Sequence, residues 1–218
     1  MTTYAGSMED TLERFLIPDL PPNIWVIEAP WITSATALVG RSSGSASVQQ
    51  GYQDAGVYSL ATRDTKYYLP VPLPITSLVY QGTTLMTDSP RDYYAMVELG
   101  FRARGSVLVG GYGLGIVHHI LKANPAVFSV ITVEQIEDVA NLAPERPLME
   151  DFFEYARDRG GEFDTFLTDI APTDWHGTEY AILREQLIAL RGRFPGVLHL
   201  HHGYQRLFDV GRFHERWR

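Results

Sequence analysis

Hydrophobic and polar positions change rhythm near residue 88. Before it, apolar residues come in short runs broken by Pro, Gly and small polar residues. After it, runs with a helical period alternate with short continuous apolar runs. Residues 8–17 (MEDTLERFLI) place Leu12, Phe15 and Leu16 on one side of a short helix that Pro18, Pro21 and Pro22 end. IWVIEAPWI reads as a strand interrupted at Pro30. Residues 40–56 (GRSSGSASVQQGYQDAG) are small and polar and read as a mobile loop, either a solvated connection or a lid. VYSLAT, TKYYL and ITSLVYQGTTLMT are β-prone, the last with Gln81-Gly82 at a hairpin turn. Leu69 to Pro74 is Pro-rich and expected to be extended. The first 88 residues are thus expected to form a β-rich front segment.

From residue 89 the pattern predicts alternation. SPRDYYAMVELGF has a Ser N-cap and a Pro in the first turn of a helix. Ser106–Gly110 reads as a buried strand, Leu114–Ala123 as a helix and Val127–Glu134 as a second strand. A helical stretch, the strand Phe163–Asp169, the helix Glu179–Arg191 and a last strand Val197–His201 follow. Strands alternating with helices predict an α/β fold whose parallel sheet is covered on both faces, so residues 89–218 are expected to be a Rossmann-like domain.

The chemistry concentrates in VLVGGYGLGIVHHIL. A strand runs into Gly111, Gly113 and Gly115, and a helix begins at once. Glycines permit a sharp turn and let a ligand approach bare backbone, and a helix N-terminus adds unpaired N–H groups. The second strand ends at Glu134, where a Rossmann-type fold carries a carboxylate for ribose hydroxyls. The spacing Gly-x-Gly-x-Gly points away from a dinucleotide and towards an adenosyl-sulfonium ligand. The bland alternative is a tight turn beside an exposed Glu.

Together SLVYQGTTLMTDSPRDYYAMVELGFRARGSVLVGGYGLGIVHHIL, VITVEQIEDV, MEDFFEYA and FDTFLTDIAP resemble the class I S-adenosylmethionine-dependent transferases, within them the spermidine-synthase-like branch and its small methyltransferase-like relatives. The resemblance covers about residues 75–175. It implies a methyltransferase core of about five strands that binds S-adenosylmethionine or its decarboxylated form. Gly111, Gly113 and Gly115 would lie under the ligand, Glu134 would hold the ribose, Asp151 would take the adenine amino group and Phe152 would line the adenine pocket. Asp169 would stand beside the transferable group and orient or deprotonate a nucleophile. Asp88 is expected to face the cleft on the same grounds. Aminopropyltransferases carry a second acid three residues after the first; here that place is Pro172, and the next acid is Asp174. Their substrate-binding Tyr motif is also not clean in DYYAMVE. Three readings therefore stay open: methyl transfer, aminopropyl transfer, and a non-catalytic assembly module on the same fold.

Other residues enter as candidates by position. His176 follows Asp169 closely and titrates near neutrality, which suits proton transfer. Tyr94 and Trp175 are candidate walls of a substrate pocket. His118, His119, His199, His201 and His202 lack a matching acid cluster, so no metal is expected.

Bulk properties narrow the classes. The chain has 218 residues, 45% hydrophobic and 20% charged, an ordinary globular balance. A net charge of −8 disfavours sequence-independent nucleic-acid binding, although Arg212, Arg216 and Arg218 make the end locally basic. With no cysteine there is neither a disulfide nor a thiol-ligated metal. No run approaches the ~20 apolar residues of a membrane helix, and the N-terminus lacks the pattern of a secretory signal, so the expected location is the cytoplasm. The sequence ends soon after its last predicted strand, Val197–His201, so the sheet is expected to be abbreviated. Its bare edge makes a homo-oligomer the expected assembly.

Overall fold

A computed structural model describes residues 24–28, 30–59, 66–170 and 178–201. The predicted helix at 8–17, Trp175, His176, Asp174 and the basic end lie outside the described residues. The described residues form a mixed α/β structure with three sheets.

The parallel sheet contains β8 (Gly105–Gly110), β9 (Val127–Glu134), β10 (Leu148–Met149), β11 (Thr165–Thr168) and β12 (Leu198–His201). Its spatial order is β10-β9-β8-β11-β12, and every pair is parallel. Counted in chain order the five strands lie 3-2-1-4-5, compatible with a doubly wound, Rossmann-like sheet whose topological switch point falls between β8 and β11. The strand period of two sends alternate side chains to opposite faces. Val107, Val109, Leu167 and Leu200 enter one core cluster; Leu108, Phe166 and Val133 enter another. The first face is covered by α1 (Pro90–Arg102) and α2 (Ile116–Ala123) through Met96, Leu99, Ile116 and Leu121. The second is covered by α4 (Phe152–Arg159) and α5 (Thr178–Arg193) through Phe152, Ala156 and Leu190. The short α3 (Glu137–Ala140) follows β9.

Helices α1 and α2 are locked at their carboxyl ends. The buried Asn124 amide donates to the carbonyls of Gly100 (2.8 Å) and Ala103 (3.0 Å). A Cβ on Gly100 would stand 2.5 Å from the Ile120 side chain, so only glycine admits this approach.

The front segment is antiparallel where it meets this core. β2 (Ser42–Ser43), β3 (Ala46–Gln53), β6 (Leu73–Tyr80) and β7 (Thr83–Thr87) form one sheet. β1 (Ile24–Val26), β5 (Lys66–Leu69) and β4 (Gly56–Ser59) form the other. The β6–β7 turn has positive φ at Gln81 (50°) and Gly82 (78°), the primed geometry that suits a two-residue hairpin. Ala46, Val48 and Leu78 join the same core cluster as α1 and α2, so the front sheet and the parallel sheet share one apolar interior.

The reading of residues 40–56 as a mobile loop is corrected. The segment holds β2 and all of β3, which pairs with β6 over eight residues from Ala46↔Tyr80 to Gln53↔Leu73. Ala46 and Val48 point inward and are buried, while Gln49 and Gln50 face solvent. Adjacent Gln49 and Gln50 lie on opposite faces and are both exposed, so only the first half of the strand has an apolar face, which made the segment look like a loop. It is also fastened to the parallel half: Ser45 N–H donates to Asp138 Oδ2 (2.7 Å) and Arg41 to the Leu142 carbonyl (3.0 Å).

Candidate functional site

The strand register brings the ends of four strands to one edge. Gly110 lies opposite Val133 on one side and Thr168 on the other, and Glu134 lies opposite Met149. The residues that follow (Gly111, Asp169 and, after β10, Asp151) therefore stand with Glu134 along the carboxyl edge, where open α/β sheets bind ligands.

The glycine turn is built by backbone bonds. Gly111 N–H donates to the Val133 carbonyl (2.9 Å), Asp169 N–H to Gly110 (2.8 Å) and Gly115 N–H to Tyr112 (2.7 Å). Gly111, Gly113 and Gly115 all have positive φ (89°, 52° and 71°). A Cβ at Gly111 would stand 2.7 Å from the Asp169 carbonyl oxygen, so this glycine is required for the switch point to close. Gly115 caps α2 with no side-chain bond to the helix.

Glu134 is nearly buried, at 8% exposure, and anchors the turn. Its Oε2 accepts from Tyr112 N–H (2.9 Å), and its Oε1 accepts from Gln135 and Ile136 N–H (2.9 Å each). A carboxylate has about four lone-pair sites. With three taken by backbone, Glu134 is first a staple between β9 and the turn, with one acceptor direction left. Asp169 is half-buried beside the turn. Asp151 is the N-cap of α4, its Oδ1 accepting from Glu154 N–H (2.9 Å). Phe152 is a core residue at 3% exposure. Its ring packs against Gly110 and lies edge-on to Phe153 and Phe166.

Asp88 and Tyr94 are engaged by residues of the front segment. Asp88 is fully enclosed: Oδ1 accepts from Thr76 N–H (2.5 Å), Oδ2 from the Thr33 hydroxyl (2.5 Å), and its carbonyl from the Trp31 indole (2.8 Å). Burial pushes its pKa up, partly offset by these bonds. Tyr94 packs in an aromatic group with Trp31 (6.1 Å) and Tyr93 (5.9 Å).

Two residues outside the sequence-based selection touch the turn. Met86, on β7, accepts the Leu114 N–H on its sulfur at 3.3 Å. Tyr112 folds its buried ring over Gly115 and stands 5.7 Å from His118. Burial, with the nearby Glu145 charge, raises the Tyr112 phenol above its usual range. Burial, helped by Lys122, lowers His118, whose Nδ1 is 2.9 Å from the Thr132 hydroxyl. Nothing local in the sequence marks Met86, whose partner is 28 residues away.

Two clefts open away from the turn's centre. One of about 300 Å³ adjoins it, lined by Tyr112, His118, Thr132, Glu145 and Leu148. A larger one, about 590 Å³, lies between the front segment and the start of α1, lined by Tyr52, Gln53, Tyr58, Arg91 and Asp92. Size and chemistry disagree here: the glycine turn, the helix N-terminus and Asp169 belong to the carboxyl edge, and size alone does not make the front cleft the site.

No family model matches this chain, and no curated protein matches it. Among the described residues no helix is long and apolar enough to cross a membrane.

Proposed function

We propose that this chain is an S-adenosylmethionine-binding transferase of the class I methyltransferase type, with methyl transfer ahead of aminopropyl transfer. The observation that carries the reading is the glycine turn at the switch point of a 3-2-1-4-5 parallel sheet, with the backbone of the half-buried residue Asp169 packed against it. The fit of the ligand is supported by the absent side chain at Gly113, whose place the Met86 thioether fills, and by a Leu114 N–H whose acceptor is that same thioether.

In this reading the Gly111–Gly115 backbone and the start of α2 hold the polar end of the ligand. The remaining acceptor direction of Glu134 takes a ribose hydroxyl. When bound, the ligand supplies an electrophilic carbon on a sulfonium. Asp169 orients the incoming nucleophile or removes its proton, and enclosure by the front hairpin limits access of water.

A second reading, an assembly module that keeps the fold without turnover, is favoured by a different observation. Tyr112 and Met86 already cover the turn, and protein donors engage most of Glu134. Calorimetric titration with S-adenosylmethionine, its decarboxylated form and S-adenosylhomocysteine separates the two. The transferase reading expects saturable micromolar binding that survives Asp169→Asn, with turnover lost in that variant. Absence of binding by all three ligands would remove the transferase and leave the assembly module.

A further inference from the structure

The hairpin β6–β7 is irregular at one point. Leu78 pairs with Met86 and Val79 with Thr84, so Leu85 is an extra residue in β7. In a regular strand Leu85 and Met86 would face opposite sides. Here both pack against the main core cluster, because the bulge re-aims the chain by one position. The result carries the Met86 sulfur to 3.3 Å from Leu114 N and to 2.6 Å from the place a Cβ on Gly113 would occupy.

A thioether is a poor acceptor for a backbone N–H. A carboxylate or hydroxyl oxygen makes a shorter and stronger bond to the same donor. Methionine is also unbranched and changes rotamer readily, so it can fill a space and leave it. We infer that Met86 is a displaceable gate over the glycine turn: its side chain holds the Leu114 N–H in the free protein, and an oxygen of the incoming ligand takes that N–H from it. This rests on the ligand site proposed above and adds a specificity-determining residue to it. It also gives the front hairpin a task, which is to set the apparent affinity of the site by the fraction of molecules with the gate open.

The test is titration of the full chain and of Met86→Ala with S-adenosylhomocysteine. Removing the gate is expected to tighten binding about fivefold to tenfold, the gain when an open state of about 10–20% becomes the whole population. Met86→Leu, which keeps bulk but cannot accept the N–H, is expected to give a smaller gain. Wild-type protein labelled at its methionine methyl groups supplies a readout that does not depend on a variant folding. The Met86 resonance, assigned by its loss in Met86→Leu, should move on saturation while that of the core residue Met96 stays. Binding by wild type with unchanged or weaker affinity in Met86→Ala, or a Met86 methyl signal that ligand does not move, would overturn the gate and leave the ligand site standing. No binding by either protein would overturn both.

Discussion

Two buried carboxylates show how differently the halves of the molecule are held. Glu134, at the carboxyl edge of the parallel sheet, takes three backbone N–H groups, two from the next two residues and one from Tyr112 in the glycine turn 22 residues earlier. Asp88, in the front segment, joins residues 12 and 55 positions away, Thr76 and Thr33, and is sealed from solvent. The first sits at the strand end beside the glycine turn, with three of about four acceptor sites filled by backbone. The second is an internal knot, and its raised pKa reflects enclosure. Acids at the ends of strands look alike in a sequence. What separates the two is the kind of donor and the enclosure: backbone alone for Glu134 beside the glycine turn, and a backbone N–H with a threonine hydroxyl for the fully enclosed Asp88.

The comparison can be broken most sharply at the edge. Gly111→Ala puts a Cβ against the Asp169 carbonyl at a φ that disfavours any side chain. It is expected to destabilise the fold by about 4 kcal/mol, read by denaturant unfolding. A loss under about 1 kcal/mol would mean that β8 and β11 do not close as described. In the front segment, Asp88→Ala strands Thr76 N–H and the Thr33 hydroxyl, with an expected loss of about 3 kcal/mol and no dependence on ligand. Loss of ligand binding at full stability would instead return Asp88 to the cleft.

The smallest effect is in pH. Burial lowers the His201 pKa from 6.5 to about 3, with further lowering from His199 and Arg191. The unfolded chain then binds the extra proton first, so stability is full above the unfolded pKa and falls as pH drops below 6.5. From about pH 7 to about pH 5 the loss from this group is about 2 kcal/mol, and His201→Gln should flatten that part of the profile. His118 and His199 shift in the same direction and add to it; Asp88, shifted upward, acts in the opposite sense at lower pH. A flat profile in wild type would show that His201 is not enclosed on its strand.

Much of the parallel half was legible because its signals are local. SVLVG and VITVE announce strands by apolar runs, and the glycine turn announces itself by spacing. The five-stranded sheet accordingly appears where alternation was expected, although β10 is only two residues long and offered no period to read. The front segment was legible at β1, β4, β5 and the β6–β7 hairpin, whose β-prone runs stand out, but not at β2 and β3. β3 escaped because two inward residues, Ala46 and Val48, carry its burial, and its partner β6 lies about 30 residues further on. The site divides in the same way. Gly111, Gly113, Gly115 and Glu134 lie at the edge that their spacing implied, and Asp169 at the strand end that the resemblance implied. Met86 and the enclosure of Asp88 depend on distant contacts that no local pattern contains.

The Asn124 clasp between α1 and α2 has a mechanical meaning. With its amide bonded to the end of α1 and Gly100 pressed on Ile120, the two helices behave as one stiff lever. On the gate proposed at Met86, widening of the glycine turn falls to the hairpin side, by a side chain that swings, and not to the clasped helix pair.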